Sequence, residues 1–355
     1  MMPLISLTSK RVRAAALLLA LLMAGSMALS ACSELTFNIP ETLPTEEEYG
    51  EFSPDETSGE EYPEDGFDSA YVLGMLIENE DSQPAALQEM IQYMADQTGY
   101  FIQVQEFDSY ADILVGLKNG EVHMAWLPPA TYLAAADDEA AEARLLTNHF
   151  GVYLYGMQIL ANKESGFTSF FDEASGASLV DAPEALSQLE GKRPCYMPSN
   201  SLSANIVPRA LLAENQIAVQ DAVILQSHAA IVRALYIKNI CDFGATFALT
   251  GDPRTSETVT RDLPDAADQI EILWRSGQLL PGTNFSLQPA LDPAVKEALT
   301  NAILSLAQNA EGLQIISDAL NYQVGQLKPT DNTAYDPLRQ MLEVLQLPAG
   351  NLIGW

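Results

Sequence analysis

From Tyr71 onward, short apolar runs alternate with stretches whose apolar residues recur at helical spacing, and that alternation restricts the fold more than any other feature of the chain. Tyr71–Leu76 reads as a buried strand. Pro84–Thr98 sets Leu87, Met90, Ile91 and Met94 on one helical face, and Gly99 closes it. Phe101–Val104 is a second strand, Tyr110–Lys118 a helix carrying Ile113, Leu114 and Leu117, and Val122–Leu127 a third strand before a helix opened by Pro129. A second series follows: strand Arg193–Tyr196, a helix through Arg209–Leu212, strand Ala222–Gln226, helix Ala229–Lys238 with Ser227 as its cap, and strand Ile240–Ala248. Helices Ala294–Gln308, Glu311–Leu320 and Pro337–Leu345 occupy the C-terminal third. Two β-α-β series predict an α/β protein of two lobes, each a doubly wound, mostly parallel sheet, with a cleft between them. Ligands of such sheets sit beyond the C-terminal ends of the strands, so the loops facing the cleft are the place to look.

The chain ahead of this pattern has another character. Lys10, Arg11 and Arg13 precede an apolar run, Ala14–Ala28, that ends in Leu29-Ser30-Ala31-Cys32. Basic, then apolar, then small residues is the order of an export signal. The run of about 15 residues falls short of the roughly 20 needed to cross a bilayer as a helix. Leu29-Ser30-Ala31-Cys32 resembles a bacterial lipobox, which implies that residues 1–31 are removed and Cys32 is lipidated. Residues 33–69 hold thirteen Asp or Glu and no Lys or Arg, so 32–69 reads as a lipidated cysteine on an unfolded acidic tether, extended by its own repulsion.

A formal net charge of −31 argues against nucleic acid or anionic headgroups as electrostatic partners. An anionic ligand would have to be held locally, by backbone N–H groups at helix N-termini. Cys32, Cys195 and Cys241 make no CxxC pair, and His123, His149 and His228 are scattered. We therefore expect no metal and no cofactor.

Eight segments in order resemble the phosphate/phosphite/phosphonate ABC-transporter substrate-binding family. They are Phe107–Asp112, Val122–Pro129, Tyr155–Gln158, Lys163–Gly166, Ser201-Leu202-Ser203-Ala204 with Pro208, Ser227–Ile231, Asp242–Ala245 and Leu280-Pro281-Gly282. The resemblance implies a type 2 periplasmic-binding-protein fold, with lobe one at 70–153 plus 276–350 and lobe two at 154–275. It also implies a monomeric, extracytoplasmic receptor, not an enzyme, that passes a small phosphorus oxyanion to an ABC permease. In this family a Ser-Thr-Ser-Gly turn and the helix it opens hold the oxyanion; here Ser201 and Ser203 remain, while Leu202 and Ala204 replace the other two. By the same resemblance His228, Tyr110 and Tyr155 are donors, Tyr153 is a rival to Tyr155, and Thr131 is a further candidate. The alternatives are a helix cap for the serines, a histidine satisfied in the fold, and tyrosines that merely pack. Members that read an amino group do so with carboxylates, where this chain has Thr283 and Leu249-Thr250, so phosphate, phosphite or a simple phosphonate is expected.

Other functions compete. The same fold could serve as a ligand-sensing module for a membrane receptor, or bind a sulfonate or nitrate. Ser201, His228 and Asp242 are the residue types of a hydrolase, although the serine lacks a nucleophile elbow. Cys195 and Cys241 fall on the first and third strands of the second series, which neighbour each other in a doubly wound order; they read as a disulfide in an exported protein, or as two buried thiols. For the anchor, Cys32→Ser should move the protein from the membrane to the soluble fraction, and membrane retention of the variant would exclude a lipidated Cys32.

Overall fold

The computed structural model describes residues 70–79 and 81–353. The leader, Cys32 and the acidic tether lie outside the described residues. In chain order the first strands are β1 (Tyr71–Leu76), β2 (Ile102–Phe107), β3 (Met124–Leu127), β4 (Glu142–Asn148) and β5 (Leu154–Asn162). A small hairpin follows, β6 (Phe171–Asp172) with β7 (Ala177–Ser178), then β8 (Pro194–Tyr196), β9 (Val223–Ile224) and β10 (Phe243–Ala248). The last are β11 (Ile270–Arg275), β12 (Leu280–Pro281), β13 (Asn284–Leu287) and β14 (Gln326–Pro329).

Two sheets result, one per lobe. Lobe one has the order β14-β4-β13-β3-β1-β2, and lobe two β11-β5-β10-β8-β9 with β12 also on β5. The fold is the two-lobed arrangement expected from the sequence, and its sheets are mixed. Pairings are parallel where helices connect successive strands, as in β1–β2, β1–β3, β8–β9 and β8–β10. They are antiparallel where the chain arrives from the other lobe, as β13 does beside β3 and β5 beside β10.

The chain leaves lobe one between β4 and β5, at residues 149–153. Its return comes later than the expected boundary between residues 275 and 276. Leu280 and Pro281 still pair with Tyr155 and Leu154, so the chain rejoins sheet one only at Asn284. Gly156 makes room for this return, since a Cβ there would lie 2.8 Å from the Gly277 carbonyl oxygen. The C-terminal segment does not stay in lobe one either: helix Asp336–Val344 packs on helix Val207–Glu214 of lobe two, while Ala349–Leu352 packs on helix Pro129–Asp137 of lobe one. A chain assigned to one lobe by sequence thus straps both.

Packing draws β8 and β10 together beneath the cleft. Gly244 of β10 lies opposite Cys195 of β8, and a Cβ at Gly244 would meet Ile231 Cγ2 at 2.4 Å, so helix His228–Ile237 seats directly on the strand. Cys195 and Cys241 are joined as a disulfide, their Cα atoms 5.6 Å apart. Cys241 lies just ahead of β10 and not within it, because pairing starts only at Phe243. Among the described residues no helix is long and apolar enough to cross a membrane.

Candidate ligand-binding site

The turn after β8 is shaped by a proline. Pro208 has no N–H to offer the Ala204 carbonyl, so the helix cannot begin in α form at Ser201. Residues Leu202–Ile206 instead make one π-helical turn that leads into helix Val207–Glu214. The Ser201 carbonyl accepts from both Asn205 N–H (3.1 Å) and Ile206 N–H (3.0 Å), and the freed Ala204 carbonyl accepts from Met197 N–H at 3.1 Å. Asn205 Nδ2 donates to the Met197 carbonyl at 2.7 Å, which fastens the turn from behind.

Neither serine is used up in this arrangement. Ser201 stands at the N-cap yet makes no side-chain cap bond, and its Oγ has only Met197 Sδ at 3.9 Å. Ser203 is buried, at 5% exposure. Both face a cavity of about 400 Å³ lined from both lobes: Tyr155, Ser201, Leu202, Ser203, His228, Phe247, Thr250 and Pro281 from lobe two, Pro129 and Tyr322 from lobe one, and His149, Phe150, Gly282 and Thr283 from the crossings. No Lys, Arg, Asp or Glu is among them. The cavity lies beyond the C-terminal ends of β3, β8 and β10, where a doubly wound sheet places its ligand.

His228 reaches the cavity through a cap. Ser227 accepts from Ala230 N–H at 3.1 Å and sets His228 at the first position of its helix. The ring meets Phe247 edge-on, centroids 4.7 Å apart. Its Nδ1 is enclosed with no partner among the described residues. Burial lowers its pKa to about 4, so the imidazole is neutral at pH 7 and can donate one N–H. Tyr155 opens the inner part of β5 into the cavity, and burial, reinforced by nearby Tyr322, pushes its phenol well above the ordinary range. It therefore stays a protonated donor.

Four expected residues, Ser201, Ser203, His228 and Tyr155, thus meet in one cavity. Tyr110 does not line it. It faces an adjoining chamber of about 280 Å³ that shares Thr283 and Tyr322 as a wall, where burial, with Glu78 next, raises its phenol to about 12. Thr131 is buried and lies off the wall. Pro129 holds the cleft side of its helix, and two residues further on the helix has turned by about 200°. Tyr153 is engaged elsewhere, donating to Gln326 Oε1 at 3.2 Å under Lys328. Asp242 is exposed at the opposite end of β10 from the cavity, where its Oδ2 accepts from Arg193 N–H at 2.7 Å; it makes no triad with Ser201 and His228. Among the described residues no group of three His, Cys, Asp or Glu is placed to hold a metal.

Sequence reasoning missed His149, Phe150, Phe247 and Tyr322. His149 stacks on Tyr322 with centroids 4.1 Å apart, and its Nδ1 lies 2.7 Å from the Gln323 carbonyl oxygen. Their signal is absent from local sequence, because a strand end and a post-helical loop meet only in the assembled lobe.

The His228 shift sets a pH dependence of stability. The folded pKa is depressed, so between pH 6.5 and about 4 the unfolded chain binds a proton that the folded chain refuses, and stability falls as pH is lowered through that window. Thermal unfolding of wild type and His228→Gln across pH 4–7 should show a shallower acid loss in the variant; parallel curves would place His228 in water.

Residues 74–335 match the family described as ABC transporter, phosphonate, periplasmic substrate-binding protein. A Mycolicibacterium smegmatis protein named phosphate-import protein PhnD is 22% identical over 261 residues, covering 70% of this chain and 74% of that one. Two solved structures share the fold. XAC2383 from Xanthomonas citri bound to ATP has a TM-score of 0.58 at 17% identity, covering 79% of this chain and 98% of that one. PhnD1 from Prochlorococcus marinus in complex with methylphosphonate has a TM-score of 0.50 at 14% identity, covering 78% and 98%. The chain belongs to the phosphonate ABC-transporter periplasmic substrate-binding family, and it binds a small ligand for import.

Proposed function

We propose that this receptor captures a small phosphorus oxyanion, held by Ser201, Ser203, His228 and Tyr155, and delivers it to its permease as a monomer anchored through Cys32. One observation carries the ligand reading: the cavity gathers hydroxyl, phenol and neutral imidazole donors around the openings of two helices, with no cation and no carboxylate. Such donors stabilise an anion inside a low-dielectric cleft without a counter-charge. Two of the three ligands named for the relatives, phosphate and methylphosphonate, are of this class, and the third, ATP, is a larger phosphate ester.

Thr250 and Thr283 line the cavity where carboxylates would read an amino group, and Asp252 is turned away into a fork with Arg254 (Oδ2 to Nη2, 2.7 Å). An ammonium group on the ligand would find no counter-charge. The lobes close on the ligand by bending at residues 149–153 and 282–283, with the C-terminal strap as the restraint behind the cleft.

Removing a neutral donor to a buried anion costs roughly 1.5–3 kcal/mol, about ten- to a hundredfold in affinity. Calorimetric titration with phosphate and methylphosphonate should show that loss in both Ser203→Ala and His228→Ala. Wild-type affinity in both variants would move the oxyanion out of this cavity.

A further inference from the structure

We infer that the ligand carries an uncharged apolar group on phosphorus, and that Leu202, Phe247 and Phe150 select for it. The inference rests on the phosphorus-oxyanion reading of the cavity and narrows it.

Leu202 stands between the two donor serines, where a third hydroxyl would serve an inorganic oxyanion. It lines the cavity with 8% of its surface exposed, so the middle of the donor turn offers hydrocarbon and no hydroxyl. Phe247 is half-buried in the same wall and packs edge-on against the donor His228. A group on phosphorus that lies along Leu202 or Phe247 is therefore in contact with hydrocarbon.

Phe150 is the least expected of the three. It is 55% exposed and lines the cavity mouth. Its φ is +47° and that of Gly151 is +90°, inside a tight turn closed by the His149–Val152 bridge and by Asn148 Oδ1, which accepts from Gly151 N–H at 3.0 Å. The first central position of such a turn ordinarily takes Asn, Asp or Gly. A phenylalanine there is held in a disfavoured backbone region, and its exposed ring is apolar surface that an apolar group on the ligand would cover. The ring also packs at 4.3 Å on His149, which itself stacks on Tyr322, so the aromatic surface continues along lobe one.

Size and charge agree. About 400 Å³ lies within the roughly 300–1,000 Å³ of sites for organic ligands, and a five-atom oxyanion fills a fraction of it. A charged substituent would lose its hydration without gaining a partner, since no Lys, Arg, Asp or Glu lines the wall.

The test is calorimetric titration of the full-length protein with inorganic phosphate, methylphosphonate, n-butylphosphonate, phenylphosphonate and 2-aminoethylphosphonate. Each methylene buried contributes about fourfold in affinity, so butyl should exceed methyl by at least tenfold. Phenyl should follow butyl, and phosphate and aminoethyl should be weakest. Phe247→Ala should bring the butyl-to-methyl ratio toward one. Leu202→Thr, a milder change that restores a hydroxyl, should move preference toward phosphate. Equal affinity for every substituent, or phosphate as the tightest ligand, overturns this inference and leaves the oxyanion reading standing. Failure of all five to bind overturns the oxyanion reading, and the inference with it.

Discussion

An anion entering this cleft meets no cationic side chain, so its charge is balanced only by oriented dipoles: two serine hydroxyls, a phenol, a neutral imidazole and the N–H groups that open two helices. Dipoles serve this purpose only when they are fixed in advance, because each one that must reorient weakens the interaction it makes. The rest of lobe two can be read as the means of fixing them. Pro208 forces the π-turn that points Ser201 and Ser203 into the cleft, and Asn205 ties that turn to Met197. The disulfide and Gly244 hold β8, β10 and helix His228–Ile237 in close contact, so the serine turn and His228 share one rigid base.

The loop after β10 is held in the same way. Leu249 has φ +73° and Gly251 φ +148°, conformations that carry Thr250 to the cavity wall. Behind them Asp252 grips Arg254 in a fork, Arg254 Nη1 donates to the Ile270 carbonyl at 2.9 Å, and Arg275 donates to Gln158 Oε1 at 2.8 Å while lying over the Phe171 ring. Burial alone would raise the Asp252 carboxyl, but the Arg254 guanidinium outweighs it and holds it below the ordinary range. Charges are thus present behind the loop, with Asp252 and Arg254 paired and Arg275 held by Gln158.

What could be read from sequence followed from how local each signal is. The serine turn, the Ser227 cap and the β-α alternation are set within a few residues, and those elements appear where their residues put them. The antiparallel strands were not legible. Seven consecutive residues of β5, Gly156–Asn162, are buried, so no alternation marks them as strand, and β13 is buried throughout. Without those strands the return to lobe one could be placed only at the 275–276 boundary, and the helix at Asp336 could not be seen to reach lobe two. Thr131 failed for a simpler reason, helical rotation away from Pro129. Phe150 and Phe247 carry no motif; their meaning lies in which surface they share.

Everything above turns on a phosphorus oxyanion being held by neutral donors in this cavity. A crystal structure of the protein with methylphosphonate tests it most directly. The account predicts phosphonate oxygens within hydrogen-bond distance of Ser201 Oγ, Ser203 Oγ and the His228 imidazole, with the methyl group toward Leu202 and Phe247. A phosphonate bound to a lysine or arginine elsewhere, with this cavity holding only water, would contradict it.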